Sequence, residues 1–305
     1  MSDGNVPYAA DTEARLGLLY ALAAYGIWGV APIYFVWVGF AAPLEILMHR
    51  VLWSIPLLLF LITVSGHWAA TKDLSRRELL FLLATALCLS VNWLTFIWVI
   101  QAERIADASL GYFINPLINI LLGWFFLRER MRSLQWIAVA VAFTGVSIEL
   151  WVQRSLPWLS LTLALSFGFY GLLRKQVSVP AAIGLWVETT LMLPIALLFL
   201  LWLLSTEGLR TATEVFQLAL GGVISVVPLV FFAAAALRLP LTTLGFVQYL
   251  APSCALLLAV FLYDEPVPQV RWVTFAFIWS ALAIFTAENV YNLRKRPRIA
   301  QERTL

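Results

Sequence analysis

Charge is scarce in this chain of 305 residues, of which 12% are charged and 62% are hydrophobic. Soluble globular domains have about 25% charged and about 45–50% apolar residues, so the composition excludes a soluble enzyme. The 20 basic and 17 acidic residues nearly balance. The net charge therefore gives no reason to expect a nucleic-acid partner.

Lysine, histidine and cysteine are almost as rare. The three lysines, Lys72, Lys175 and Lys295, never follow a glycine, which excludes a P-loop and with it a built-in nucleotide motor. Two histidines cannot form a His-rich metal centre, and no pair of nucleophile and base stands out. Cys88 and Cys254 lie inside apolar runs, which is typical of packed thiols. We therefore predict that the protein is not an enzyme and binds no cofactor or metal.

Long apolar runs are abundant. Each is close to the roughly 20 residues that a helix needs to cross hydrocarbon, and none alternates like a membrane β-barrel strand. The ten runs lie at about residues 16–36, 44–64, 79–99, 108–127, 133–151, 157–173, 183–203, 215–236, 242–263 and 270–290. Lysine and arginine number 15 at the two termini and in the even-numbered connections, but only 4 in the odd-numbered ones. Because positive charge marks the cytoplasmic side, the sequence predicts an all-α polytopic membrane protein with ten transmembrane helices and both termini in the cytoplasm.

The runs form an internal repeat. The fourth run and its exit match the ninth at a constant offset of 136 residues, in the pairs Pro116/Pro252, Glu129/Glu265 and Trp136/Trp272. Because each half contains five runs, the second half enters the membrane from the opposite side. We predict two inverted five-helix repeats, at residues 16–151 and 157–290, between a cytoplasmic tail at 1–15 and a basic cytoplasmic tail at 291–305. Inverted repeats place a substrate site near the midplane, between the halves.

Three strings resemble the RarD-type permeases of the drug/metabolite transporter (DMT) superfamily, which have two EamA-type halves. They are residues 45–54 (EILMHRVLWS), 111–117 (GYFINPL) and 248–253 (QYLAPS). The resemblance covers about residues 15–290. It implies an exporting carrier in the bacterial plasma (inner) membrane, whose helices one to four and six to nine surround a central cavity. The chloramphenicol-sensitivity label of such proteins is a poor guide to the natural substrate.

Two ionisable side chains interrupt the apolar runs. Each costs about 2.5–3.5 kcal/mol in hydrocarbon, so it is expected to face a cavity or a partner. Arg50 and Glu188 occupy corresponding positions in the two halves and are expected to differ in depth by about 13 Å. We predict that each serves one mouth of the cavity, Arg50 for an anionic or carbonyl group of the substrate and Glu188 for a cationic group or a coupling proton. The alternative is that both are bound to polar groups of neighbouring helices.

Other polar residues are candidates for the cavity wall. Tyr112, Asn115 and Asn119 form a polar stripe on one face of the fourth helix, although such stripes also bond helices to one another. Asn92 in the third run would add hydrogen-bonding capacity. Gln248 in the ninth run is equally compatible with the site and with packing.

The second run holds three further candidates. Glu45 and His49 share a helical face, and one hypothesis is a proton relay, because histidine titrates near neutrality. The simpler interpretation is a Glu45 that reaches the interface and a packed His49. Trp53 lies one turn from Arg50 and could stack on it or on the substrate. Packing is the alternative for Trp53 as well.

Prolines and aromatic residues at matching repeat positions complete the list. Pro116 and Pro252 each remove a backbone donor in mid-span, and the resulting kinks are predicted to act as gates, unless they are merely tolerated. Trp28 and Tyr170 lie beside glycines at corresponding positions and are predicted to line the cavity, with packing as the alternative.

The pattern as a whole predicts a secondary active or facilitative transporter. It would export a small amphiphilic metabolite, amino acid or drug by alternating access through the central cavity. The alternative functions are a flippase or a membrane-embedded enzyme for a lipid-linked substrate. Partners are expected to be the small-molecule substrate, the lipid bilayer and a possible coupling proton, while the oligomeric state is left open.

Overall fold

The chain forms a bundle of helices. The computed structural model describes residues 6–66, 68, 74–102, 105–153, 158–262 and 268–302, and within these ranges it contains helices and no strand. The helices are α1 (Val6–Trp37), α2 (Pro43–Ser65), α3 (Arg76–Gln101), α4 (Ile105–Phe126), α5 (Ser133–Gln153), α6 (Trp158–Arg174), α7 (Ala181–Glu207), α8 (Ala212–Arg238), α9 (Leu241–Gln248), α10 (Leu250–Phe261) and α11 (Gln269–Glu302).

The predicted ten spans are confirmed. Eight segments of the described chain are long and apolar enough to cross a membrane, and two shorter apolar helices, Gly111–Phe126 and Trp158–Arg174, complete the ten. The ninth span consists of α9 and α10, which are separated by Tyr249 alone. Helix α1 begins before the predicted residue 16, and α11 continues beyond the predicted residue 290, because the flanking polar segments extend the helices.

The packing of the helices has the symmetry of an inverted repeat. Helix α1 packs on α8 as α6 packs on α3, and α4 packs on α6 as α10 packs on α1. Helix α2 contacts α7, α4 contacts α9, and α5 contacts α11, so that in these three pairs a helix meets its own counterpart. Exchanging the two halves reproduces this pattern. Helices α5 and α11 contact mainly each other, and the remaining helices surround the centre.

The bundle has two ends, which we call face A and face B. Face A holds the α1–α2, α3–α4, α5–α6, α7–α8 and α10–α11 connections. Face B holds the α2–α3, α4–α5, α6–α7 and α8–α9 connections and both ends of the described chain. Charge distribution predicts face B to be cytoplasmic. Lys72 and Glu265, which the sequence analysis names, lie outside the described residues.

Local sequence explains several helix ends. Pro43 occupies the first turn of α2, where a missing N–H costs nothing. A capping box of Thr211 and Glu214 begins α8. Helices α2 and α7 end at Gly66 and Gly208, whose φ angles of 68° and 84° are unfavourable for residues with a Cβ.

Two glycines let helices approach closely. A Cβ on Gly222 of α8 would lie 2.6 Å from the carbonyl oxygen of Trp53 in α2. A Cβ on Gly29 of α1 would lie 2.5 Å from the Cβ of Cys254 in α10. Small residues at helix contacts are typical of membrane bundles, and here they fix the distance between the two halves.

Two matching ion pairs connect α5, together with the residue just before it, to α11. Arg132 Nη1 lies 3.4 Å from Glu288 Oε1, and Arg271 Nη2 lies 3.6 Å from Glu149 Oε1. The two arginines are 139 residues apart, and so are the two glutamates. Both carboxylates are buried in the contact between the helices.

Candidate functional site

A cavity of about 90 Å³ lies between the two halves. Its walls come from α1, α2, α3 and α4 of the first half and from α6 and the α9–α10 span of the second. The lining residues lie in the face A half of their helices or within about one turn of the middle. Of the predicted site residues, those that line the cavity are Trp28, Arg50, Asn92, Tyr112, Asn115, Gln248 and Pro252.

Arg50 is the only charged residue among the described residues that line this cavity. Its Nε donates to Ser225 Oγ of α8 at 2.7 Å. The guanidinium lies over the ring of Trp93, 4.0 Å from the centroid, and 5.3 Å from that of Phe35, so both rings stabilise the cation. Its Nη1 is buried and donates to no described residue. The arginine is thus held in place, and its Nη1 can still donate a hydrogen bond to a ligand.

Two amides next to Arg50 also present donors. Asn119 Nδ2 donates to Gln248 Oε1 at 2.6 Å and to Asn115 Oδ1 at 3.4 Å. Because both amide oxygens are thereby used, the NH₂ groups of Asn115 and Gln248, which line the cavity, remain as donors. Asn119 itself is fully buried behind them. The cavity therefore favours a hydrogen-bond acceptor such as a carboxylate or a carbonyl.

The rest of the cavity wall is largely aromatic. Phe96 meets Tyr112 edge to face at 5.6 Å and Phe35 at 5.4 Å. Asn92 adds little free polarity, because its NH₂ donates to Leu163 O and Ser166 Oγ of α6 at 2.9 and 3.0 Å. An acceptor group joined to an apolar or aromatic body would match these walls.

An aromatic layer closes the cavity toward face B. It consists of Tyr25, Trp28, Phe167, Tyr170 and Phe232, whose neighbouring ring centroids lie 5.1 to 6.2 Å apart. Tyr170 was expected to line the cavity but is fully buried in this layer. Its repeat counterpart Trp28 does line the cavity. The exchange of halves is therefore not exact at these two positions.

Glu188 lies beyond this layer, in the face B half, and does not line the cavity. Its carboxylate is fully buried, and Oε1 accepts a hydrogen bond from Thr85 Oγ1 of α3 at 2.8 Å. The second oxygen, Oε2, has no hydrogen-bond partner among the described residues, and neither have the Tyr170 hydroxyl and the Nε and Nη1 of Arg174. We call Thr85, Tyr170, Arg174 and Glu188 the face B cluster.

Within this cluster, Arg174 forms no ion pair with a described residue. Its Nη2 donates to the carbonyl oxygens of Pro180 and Ala181 at the start of α7, at 3.3 and 3.2 Å. The guanidinium fits because Gly184 has no side chain, and a Cβ there would overlap it. A fully buried cation and a fully buried carboxylate thus lie in one cluster, each with unused hydrogen-bonding capacity.

The Arg50 site and the face B cluster correspond under exchange of the halves. Arg50 of α2 donates to a hydroxyl on α8, and Glu188 of α7 accepts from a hydroxyl on α3. The two charged side chains lie in opposite halves of the membrane-spanning bundle. This arrangement is compatible with the predicted difference in depth.

The other candidates on α2 have partners of their own. Trp53 Nε1 donates to His49 Nδ1 at 3.3 Å, and the ring over Arg50 is that of Trp93 instead. Glu45 is buried and accepts from Arg210 Nε and Nη2 at 2.9 and 2.8 Å, and these hydrogen bonds raise the pKa of Arg210. Glu45 is therefore bound to the α7–α8 connection at face A.

The two predicted kinks differ. Helix α4 continues through Pro116, whereas the ninth span is interrupted at Tyr249 just before Pro252. Pro252 then falls in the first turn of α10, where a missing N–H is tolerated. The carbonyl of Pro116 faces Gly245, where a Cβ would lie 2.7 Å from it. The interruption, a discontinuous helix at the site, is present in the second half only.

Ten spans in two inverted halves around a buried cavity are the architecture of a membrane transporter. Residues 15–150 match the EamA-like transporter family. The chain is 49% identical to an uncharacterized transporter of Vibrio cholerae, with 91% of this chain and 94% of that protein covered, and 44% identical to Protein RarD of Escherichia coli K12, with 93% and 98% covered. The chain belongs to the EamA-like transporter family, as a RarD-type permease of the drug/metabolite transporter superfamily.

A solved structure supports the fold. A crystal structure with a TM-score of 0.68 covers 88% of this chain and 96% of its own, at 16% sequence identity. At that identity the likeness concerns the fold alone. The family predicted from three short strings, and the all-helical fold predicted from the apolar runs, are both confirmed.

Proposed function

We propose that this protein is a secondary carrier that exports a small amphiphilic molecule by alternating access. The substrate has a carboxylate or carbonyl group and an apolar or aromatic body. The observation that carries this proposal is the unused donor of Arg50 in a cavity whose walls come from both halves. Two amide donors and several aromatic rings beside it complete the match. Export, rather than uptake, rests on the family alone.

Contacts at face B support alternating access. Glu129, in the α4–α5 turn, accepts from the backbone N–H groups of Leu241 and Thr242 at 2.7 and 2.9 Å. Lys175 Nζ donates to Ala236 O and Leu239 O at 3.0 and 2.6 Å. These contacts join three connections of face B beneath the aromatic layer. Because the halves are inverted, the mirror conformation would exchange the packing of the two faces and place the cavity in the face B half.

The energy source is proposed to be an ion gradient, since the sequence contains no P-loop. The face B cluster offers a place for a coupling proton, because Glu188 is fully buried and its Oε2 has no described partner. The charged group near it is Arg174 of α6, and the neutral hydroxyls near it are those of Tyr170 on α6 and Thr85 on α3. The ionisable residues of α2, Glu45, His49 and Arg50, lie in the face A half. The cluster does not open onto the central cavity, which suits a coupling proton better than the transported substrate.

A ligand screen tests the proposed substrate class. The detergent-purified protein would be heated with aromatic and aliphatic carboxylates, with the corresponding amides, and with amines that have the same body but no acceptor. A ligand at 100 times its dissociation constant stabilises the folded form by about 2.7 kcal/mol. We expect carboxylates and amides to raise the melting temperature, and amines to have no effect.

Transport in liposomes then tests the carrier itself. A stabilising ligand should cross the membrane of proteoliposomes without ATP, and unlabelled ligand inside should accelerate entry of labelled ligand. If stabilising ligands bind but never cross, the proposal of a carrier fails and a receptor takes its place. If only molecules with long acyl chains stabilise the protein, a flippase or an enzyme acting on lipid-linked substrates is the better account.

A further inference from the structure

A groove of about 490 Å³ lies at face B, on the turn between α4 and α5. Its apolar walls include Trp124, Phe125 and Trp136, and the two indoles meet edge to face with centroids 5.4 Å apart. Phe125 is 69% exposed and Trp124 is 46% exposed. At the end of a membrane-spanning helix such rings lie at the level where acyl chains meet headgroups.

The unused charge of this groove is positive. Arg128 and Arg130 line it and are exposed. The acidic residue among the lining residues is Glu129, and both of its carboxylate oxygens accept hydrogen bonds from the backbone of α9. Because the N-terminus of a helix carries partial positive charge, the charge of Glu129 is offset there and does not repel an anion in the groove.

The backbone holds the two arginines in a defined place. Arg128 has a φ of 53°, in the left-handed region that is unfavourable for a residue with a Cβ. The backbone N–H of Glu129 donates a hydrogen bond to the carbonyl oxygen of Gly123 in α4, at 3.1 Å. The turn is therefore fixed by its own hydrogen bonds before any ligand binds, which reduces the entropy lost on binding.

We propose that this groove binds the headgroup of an anionic phospholipid. The phosphate is held by Arg128 and Arg130, and an acyl chain lies along Trp124 and Phe125. A lipid is favoured over a free phosphate because the apolar walls are continuous with the exposed rings of α4. Anionic lipids are also concentrated in the cytoplasmic leaflet, which is where the charge distribution places face B. This site is separate from the central cavity, so the proposal of a lipid site does not depend on the identity of the transported substrate.

Native mass spectrometry and thermal shift in detergent test this proposal with phosphatidylglycerol as the probe. We expect phosphatidylglycerol to bind and to raise the melting temperature, and phosphatidylcholine with the same acyl chains to do so much less. The double variant Arg128→Ala, Arg130→Ala should raise the apparent dissociation constant about tenfold or more. The matched control is Arg76→Ala, Arg77→Ala, which removes two exposed charges of the same face at the start of α3.

Three outcomes would overturn the proposal. Equal losses in the two double variants would show a general attraction of face B for anions, not a site. Equal stabilisation by glycerol phosphate would show that phosphate alone is recognised. Unchanged lipid binding in the Arg128, Arg130 variant would place the lipid elsewhere. Because both arginines are exposed, the variant is expected to fold, and its elution as a single species with unchanged helicity would confirm this.

Discussion

The Arg50 site and the face B cluster are built alike and packed differently. In each, a charged side chain on the second helix of one half meets a hydroxyl on the third helix of the other half. Arg50 opens onto a cavity, whereas Glu188 is fully buried under an aromatic layer and does not line that cavity. Helix α2 also packs more extensively on α8 than α7 does on α3. Two halves of the same topology thus differ in packing, as expected of a carrier that exchanges two mirror conformations.

Replacing the charged group of the open site should have the largest effect. Arg50→Ala removes a charged donor worth about 1.5–3 kcal/mol, so ligand binding should weaken by about 10-fold to 100-fold and transport in liposomes should fall accordingly. Arg50→Lys keeps the charge but loses the planar stacking on Trp93, and should be intermediate. The variant is expected to fold, because Ser225 Oγ also donates to Gly221 O at 2.6 Å. Binding by Arg50→Ala that equals the wild type would remove this residue from the site.

Replacing the carboxylate of the face B cluster should separate binding from coupling. Glu188→Gln keeps the shape and an oxygen for Thr85 but cannot release a proton. We expect ligand binding and exchange of labelled for unlabelled ligand to persist, while accumulation driven by an imposed pH gradient is lost. Glu207→Gln, at an exposed carboxylate, is the control and should behave as the wild type. A pH response that survives in Glu188→Gln would place the coupling proton elsewhere, or exclude one.

A methyl group at the contact of α2 and α8 should destabilise the protein. Gly222→Ala brings a Cβ to within 2.6 Å of the Trp53 backbone, and overpacking of this kind costs about 1–3 kcal/mol. Gly26→Ala is the matched control, since nothing lies within 4 Å of the new Cβ and helix propensity improves by up to about 1 kcal/mol. Melting curves should therefore separate the two variants, and equal melting temperatures would contradict the packing described here.

The two ion pairs between α5 and α11 should also differ in their effect on the melting temperature, by less than the two glycine variants do. The side chain of Arg271 is 16% exposed and that of Arg132 is 49% exposed. An exposed pair contributes about 0–1 kcal/mol, whereas removing one partner of a buried pair costs more, because it leaves a buried charge without its partner. Arg271→Ala should therefore lower the melting temperature further than Arg132→Ala. The reverse order, measured in the same detergent, would mean that accessibility to lipid rather than to water decides the contribution.

The fold could be predicted because a bilayer sets the length of every apolar run. The predicted runs differ from the helices by a few residues, except in α1 and α11, where polar flanking residues such as those after residue 290 remain helical. Proline pairing at one offset showed the repeat. It did not show that the ninth span breaks at Tyr249 while α4 continues through Pro116, since that depends on the packing of each proline.

The site was predictable where a polar residue stands out in an apolar run. Arg50, Asn115 and Gln248 are such residues, and all three line the cavity. Trp93 and Phe35, which stack on Arg50, could not be told apart from the many aromatic residues that face lipid. Their role depends on which face of α3 and α1 turns inward. Sequence alone gives no constraint on this.

Other omissions have a different cause. Arg174 is at the end of α6, where a basic residue is usually a topology signal, yet it is fully buried because Gly184 leaves room for it. Ser225 and Thr85 are small polar residues that membrane helices commonly tolerate. Ser225 and Thr85 are 140 residues apart, so they occupy nearly equivalent positions in the two halves of the repeat. Searching the repeat for hydroxyls opposite each buried charge would have found them.

The paired bonds between α5 and α11 also bear on ancestry. Arg132 reaches Glu288 as Arg271 reaches Glu149, at one spacing, so that each half offers an arginine and receives one. Two copies of a shorter chain, inserted in opposite directions, would meet through this same reciprocal contact. Gene duplication followed by fusion would preserve both bonds within a single polypeptide. Separately expressed halves should then still recognise each other along this seam.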